Sequence, residues 1–246
     1  MFCLCDNIKI MNLKDKILYE DNDLLVVNKP AGLAVHSNGR TEEKTLVDFL
    51  LEKYPEIKNI GDNPIRPGIV HRLDKDTSGV LIIVKNQKSF LFLKEQFQNR
   101  EVKKVYQAVV WGWLKDNEGM IDKPIGKSRK DFRLWSAQRG ARGELRDAIT
   151  KYKVLKYFKV EKNKFSLVEV YPKTGRTHQI RVHFKYLSNP IVCDLLYAPK
   201  RVCPIIRISR LALQAVSIEF KKPDGGILKI EAPLSENIQI ALDKAL

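Results

Sequence analysis

The sequence predicts an α+β protein built on a mixed β-sheet. Three observations carry this. Short apolar, β-branched runs alternate along the chain with segments of helical spacing. Some strand pairs are joined by brief polar turns and others by long crossovers, a mixture that suits a mixed sheet. No Pro/Gly/Ser-rich linker, repeat or low-complexity segment divides the 246 residues, a length that buries a sizeable core without disulfide or metal staples.

Taken in order, Leu24 to Asn28 reads as a strand closed by Pro30 and Gly32. Leu46 to Tyr54 has helical spacing and stops before Pro55. Gly79 to Val84 (GVLIIV) is wholly apolar and β-branched, hence a buried strand. Asn86 is placed to cap a helix through Gln98, with Phe90, Leu93 and Phe97 on one face. Val102 to Trp111 alternates as a strand. Residues 112–148 are polar, glycine-containing and weakly periodic, and no element is predicted there. Ile149 to Phe158 and Lys164 to Tyr171 read as two strands across a charged turn. A helix is predicted over Thr177 to Leu187, burying Ile180, Phe184 and Leu187. Arg181, one helical step from Ile180, should then reach toward a cleft. Leu211 to Phe220 is a strand, Lys221 to Gly226 a turn, and Ile227 to Glu231 a strand. Ser235 caps a final helix.

Basic residues exceed acidic ones by 15, and the isoelectric point is near 9.6. Such an excess favours a polyanionic partner. From Arg100 to Lys164 there are 18 basic and 8 acidic residues, a local excess of +10. Lys127, Arg129, Lys130, Arg133, Arg139, Arg142 and Arg146 sit in the irregular stretch with Phe132 and Trp135 among them. Basic side chains neutralise phosphates and interleaved aromatics stack on bases, so this stretch is expected to contact RNA. The plainer reading is a solvated loop with Trp135 tucked into the core.

Several chemistries are excluded. No apolar run approaches the roughly 18–20 residues of a membrane span, and the start, MFCLCDNIKIM, is too short and too interrupted for a secretory signal. Cys3, Cys5, Cys193 and Cys203 form no CxxC pair and are expected to be free thiols in a reducing cytosol. His178 and His183 lack the spacing of a helical zinc pair, so no metal site is expected. Gly126-Lys127-Ser128 resembles the end of a phosphate loop, but Ile121 stands where its first glycine is needed.

Two segments point to chemistry. His71-Arg72-Leu73-Asp74-Lys75-Asp76-Thr77-Ser78-Gly79 is a turn of carboxylates, basic groups and hydroxyls at the head of the buried strand, a rigid mount for a catalytic group. An Asx-type turn is its structural alternative. Pro172 to His183 (PKTGRTHQIRVH) ends a strand, turns at Gly175 and starts a helix. Free amides there, with Arg176 and Arg181, would suit a phosphate or a carboxylate partner.

Together HRLDKDTSGVLIIVK and PKTGRTHQIRVH closely resemble the RluA-type family of pseudouridine synthases. Asp23 to His36 (DLLVVNKPAGLAVH) is similar to that family's opening motif, and Lys103 to Gly112 (KKVYQAVVWG) to its central tyrosine strand. The late strand and Glu231-Ala232-Pro233 fit its end. The resemblance implies a mixed, mostly antiparallel sheet flanked by helices and loops, with a central RNA-binding cleft. It also implies isomerisation of uridine to pseudouridine in folded ribosomal or transfer RNA, without metal or cofactor, by a cytoplasmic monomer. Asp74 matches the essential aspartate, which attacks C1′ or helps remove a proton in a glycal route. Tyr106 matches the tyrosine that stacks on the target base. Arg181 matches the cation that keeps the aspartate charged. Arg72 matches the residue that fills the stack left by the flipped uridine. Arg176 and His178 are also expected to contact RNA.

The sequence departs from the pattern in places. The catalytic pattern already begins at Tyr19, so the S4 RNA-binding module carried by many relatives is not expected. Residues 1–18 are read as an extension and 19–246 as a single catalytic domain. Gly143 to Thr150 follows the family only loosely. Cys193-Asp194-Leu195-Leu196-Tyr197-Ala198 keeps the aspartate and tyrosine but not the flanking glycines and proline. An inactive RNA-binding or ribosome-assembly factor of the same fold is the alternative, against which intact Asp74, Tyr106 and Arg181 stand. A hydrolase using Asp74 as nucleophile lacks an obvious second acid beyond the adjacent Asp76.

Overall fold

Along the chain, a 3-10 turn at Leu13–Lys16 leads into β1 (Ile17–Glu20) and β2 (Leu24–Lys29), then α1 (Leu46–Lys53) and a second 3-10 turn at Pro55–Asn59. β3 (Ser78–Val84), α2 (Gln87–Gln98) and β4 (Lys103–Trp111) follow. Next come β5 (Glu118–Asp122), β6 (Ile125–Lys127), β7 (Trp135–Ser136) and β8 (Arg142–Arg146). The chain ends with β9 (Ile149–Val160), β10 (Asn163–Pro172), α3 (Gln179–Tyr186), β11 (Leu213–Lys221), β12 (Ile227–Glu231) and α4 (Glu236–Asp243). The computed structural model describes residues 12–37, 39, 42–138, 141–201, 203 and 210–243. The chain divides into two compact units, Met1–Lys103 with Ala215–Pro233, and Lys104–Gln214 with Leu234–Leu246.

In the first unit, β1, β2, β3 and β11 lie side by side, and β12 pairs with β11. The β1–β2, β2–β3 and β11–β12 pairs are antiparallel. β3 is buried at every residue, as its unbroken apolar run predicts. Gly79 at its head has φ +113°, and an added Cβ would overlap the Ala215 carbonyl, so only glycine lets the two strands meet there. Asn86 caps α2 by accepting the Ser89 amide, as predicted. Its amide donates to Asp23, which also accepts from Ser89 Oγ, so the cap anchors α2 to the start of β2.

In the second unit, β4, β10, β9 and β5 form an antiparallel sheet in that order. The two long strands β9 and β10 are the predicted pair. A separate small sheet, β7–β6–β8, occupies the stretch where no element was predicted. β6 and β7 are only three and two residues long, and every residue of β8 is exposed. None of the three carries the alternation by which a strand is recognised.

Three expectations are corrected here. Cys193 and Cys203 are not free thiols but disulfide-bonded. Their Cα atoms lie 5.1 Å apart, within disulfide reach, although they stand ten positions apart in sequence. Cys3, Cys5 and Arg139 lie outside the described residues. α3 starts at Gln179, not Thr177, because His178 takes a left-handed backbone with φ +56°. Nor does Arg181 stand off a single buried face. Gln179 through Phe184 are all buried, so α3 is enclosed on its polar side as well.

Candidate active site and nucleic-acid interface

Asp74 sits half-buried on the turn that leads into β3. The Thr77 amide donates to its carbonyl, and Leu73, Thr77 and Ser78 around it are buried. The turn is clamped from behind by Lys29, whose side chain is wholly buried. Lys29 Nζ donates to the carbonyls of Pro30 (2.7 Å), Leu33 (2.8 Å) and Lys75 (3.0 Å), and Gly32 N donates to the same Lys75 carbonyl. The last residue of β2 therefore ties the following loop to the residue next to Asp74. Burying an ammonium is costly unless its hydrogen bonds are satisfied, and three carbonyls satisfy this one. A lysine reads as a surface residue in sequence, so this clamp was missed. The available signal was its place at the end of an otherwise apolar strand, immediately before proline.

Arg72 is exposed, and its Nη1 donates to His36 Nε2 at 3.2 Å. Burial, reinforced by the charges of Arg72 and Arg66, lowers the His36 pKa, which keeps that nitrogen an acceptor.

In the second unit, Tyr106 pairs directly with Val170, and Val170 with Tyr152. Cross-strand partners share a face, and the Tyr152 ring packs at a tilt against Phe184 of α3, so Tyr106 projects from the face of the sheet that carries α3. Lys104, two residues earlier, shares that face. Burial lowers its pKa to about 8, and its Nζ lies beside Gly175. This depressed lysine was not singled out from sequence.

Arg181 is held from two directions. Its Nε and Nη2 donate to Asp194 Oδ2 and Oδ1, both at 2.8 Å, with the side chains 5% and 0% exposed. Its guanidinium lies over the Tyr197 ring at 5.0 Å. Tyr197 OH is hydrogen-bonded to His178 Nδ1 at 2.8 Å and accepts the Trp135 amide at 3.1 Å. The other polar residues of α3 are equally engaged. Gln179 Oε1 accepts from Thr174 Oγ1 and Arg176 N, and its Nε2 donates to Ile149 O and Thr150 Oγ1. His183 bridges Thr150 Oγ1 and Lys123 O, and burial lowers its pKa. Arg176 Nε donates to Asp147 O, which ties the pre-helix loop to the end of β8.

Several of the predicted RNA-contacting cations lie on the small sheet and on the loop between β6 and β7. Arg129, Lys130, Asp131, Phe132, Arg133 and Arg142 line an open groove of about 510 Å³. Phe132 is 64% exposed. Asp131 accepts from Arg133 Nε and Nη2, and these bonds bring its pKa down to about 2. Lys127 lies over the Trp135 ring at 5.5 Å. The same Trp135 contributes its amide to Tyr197, so the basic sheet and the Arg181 surroundings share a hydrogen bond. Thus Arg181, His178 and Trp135 form one network in the second unit, while Asp74 and Arg72 share a segment of the first. Among the described residues, no helix is long and apolar enough to cross a membrane.

Residues 23–186 match the family model described as RNA pseudouridylate synthase. The chain is 40% identical over 223 residues to the uncharacterized RNA pseudouridine synthase YlyB of Bacillus subtilis, covering 90% of this chain and 70% of that one. It is 38% identical to the ribosomal large subunit pseudouridine synthase D of Borreliella burgdorferi, covering 88% of this chain and 66% of the relative. Among solved structures, human RNA pseudouridylate synthase domain containing 1 superposes with a TM-score of 0.71 at 27% identity, over 89% of this chain and 83% of that one.

Proposed function

This chain belongs to the RNA pseudouridylate synthase family, and from that premise we propose that it isomerises a defined uridine of large-subunit ribosomal RNA, with Asp74, Tyr106 and Arg181 as its working residues. All three lie inside the matched span. The observation that carries the assignment is the mounting of Asp74, a half-buried carboxylate on a turn pinned through its neighbour's carbonyl by the buried Lys29. A nucleophile or base held this rigidly loses little entropy on reaching the transition state.

In the reaction, the N1–C1′ bond of uridine breaks, the uracil turns, C5 bonds to C1′, and the C5 proton leaves. The ionised Asp74 carboxylate attacks C1′ or takes a proton in the glycal route. Arg181 takes the role of the basic residue that the family's pattern carries beside its aspartate. Tyr106 stacks on the base and holds it while it turns. The target is flipped from its helix, which costs a few kcal/mol of stacking, and Arg72 fills the gap. Arg129, Lys130, Arg133 and Lys127 grip the phosphates, and Arg176 and His178 add to the RNA contacts.

Ribosomal RNA is favoured over transfer RNA because the relative from Borreliella burgdorferi carries a large-subunit name. Such a substrate makes the cytoplasm the place of reaction. The test is to map pseudouridines in ribosomal and transfer RNA from cells carrying the wild-type chain or Asp74→Ala. Loss of one large-subunit position in the variant is expected. A ribosomal map identical in both would overturn the target assignment.

A further inference from the structure

We propose that Lys104 receives the phosphate of the target nucleotide, so that β4 takes the base on Tyr106 and the phosphate two residues away. The inference rests on the reading that Tyr106 stacks on the target uracil, and it adds an anion contact beside that ring.

Lys104 and Tyr106 are alternate residues of β4 and share the face of the sheet that carries α3. Alternate residues of a strand stand about 7 Å apart, comparable with the span from a nucleobase to its own phosphate. The loop between β10 and α3 comes up to Lys104 at Gly175. A Cβ added to that glycine would lie 4.0 Å from Lys104 Nζ, and glycine contributes no side chain there. Gly175 and Thr177 are exposed, and among the described residues their amides donate to no other group of the chain.

A comparison with Lys29 shows what Lys104 lacks. Lys29 is wholly buried, and three carbonyls accept its three protons. Among the described residues Lys104 has neither an ion pair nor a side-chain hydrogen bond. Burial lowers its pKa to about 8, and no acidic neighbour raises it again. An ammonium held out of water with its donors unused costs stability and contributes no internal bond in return. Such a cost beside a substrate-contacting residue is a mark of function. The missing partner is an acceptor with negative charge. RNA offers one such group, the phosphodiester, whereas its bases and sugars are neutral.

The test compares wild type, Lys104→Met and Lys104→Arg in the salt dependence of RNA binding, with melting midpoints alongside. The probe is a transcript of the large-subunit ribosomal RNA segment that wild type binds most tightly. Lys104→Met keeps the apolar stem and should flatten the log–log slope by about 1, the loss of one phosphate contact. Lys104→Arg keeps the charge and should keep the slope. Lys104→Met should melt no lower than wild type, since it removes a charge that nothing in the chain offsets. On poly(A), which has no uridine to receive, wild type and Lys104→Met should give the same slope. An unchanged slope on the ribosomal transcript would overturn the proposal. So would an equal flattening on poly(A), which would make Lys104 one more general phosphate grip. A melting midpoint lowered by several degrees in both variants would make Lys104 a structural group and overturn it too. Release of the C5 hydrogen by wild type on the same transcript reads the function separately. The expected slopes without release would overturn the reading of the function and leave the phosphate contact standing.

Discussion

Two arginine–aspartate forks in the second unit have nearly the same hydrogen bonds and opposite surroundings. Arg181 meets Asp194 through two bonds of 2.8 Å, with side chains 5% and 0% exposed. Arg133 meets Asp131 through bonds of 2.7 to 3.2 Å, with side chains 64% and 25% exposed. Solvent decides what each is for. On the surface, water and salt screen the pair, and Arg133 can exchange its carboxylate for a phosphate. In the interior nothing replaces the partner, so the fork fixes a geometry. The first suits an RNA grip and the second an active-site cation.

The comparison is broken most forcefully by removing one buried partner. Asp194→Ala leaves an uncompensated guanidinium in the interior and should cost about 3–5 kcal/mol in chemical denaturation. Replacing both partners, Arg181→Met with Asp194→Leu, should recover only part of that loss, because the Leu196 and Tyr197 amides that Asp194 accepts stay unpaired, while turnover stays absent. Recovery of turnover with stability would make the fork a packing device.

A smaller effect comes from a buried neutral group on the same helix. Burial lowers the His183 pKa below its usual 6.5. Well above that value folded and unfolded states are both neutral. As pH falls through it, the unfolded state takes the proton first, so stability is lost on the acid side. The melting midpoint should therefore drop between about pH 7.5 and about pH 5.5, and less so in His183→Gln. An equal drop in both proteins would assign the acid sensitivity elsewhere.

The surface fork is sharpened by salt. Replacing Arg129, Lys130 and Arg133 together by glutamine should flatten the log–log salt dependence of RNA binding by about 2. An unchanged slope would mean that these residues are only solvated. The smallest effect should come from Asp131→Ala, which leaves the melting midpoint in place and does not weaken RNA binding. Weakened RNA binding would show that Asp131 holds Arg133 in its working position.

Legibility in the sequence followed the same division between patterned and unpatterned surroundings. β3, α2 and the β9–β10 pair were readable because an apolar run, an asparagine cap and a long alternation each dictate one local structure. The β6–β7–β8 sheet was not, because strands of two or three residues and one with five exposed positions carry no period. Asp74, Tyr106 and Arg181 are proposed on the strength of motifs. What holds two of them was not found. Lys29 looks like any lysine until three carbonyls surround it, and Asp194 stands in a recognisable pattern that does not name its partner. Long-range polar pairing leaves no periodic trace in a chain, whereas apolar packing does.

The central claim is that Asp74 performs the chemistry and the remaining residues position RNA and charge around it. It is tested most directly by single-turnover release of the C5 hydrogen from uridine-labelled large-subunit ribosomal RNA, comparing the wild-type protein with Asp74→Asn. The account predicts no release by the variant, with its melting midpoint preserved and RNA affinity within about tenfold, or 1.4 kcal/mol, of wild type. Substantial release by a folded Asp74→Asn protein would contradict it.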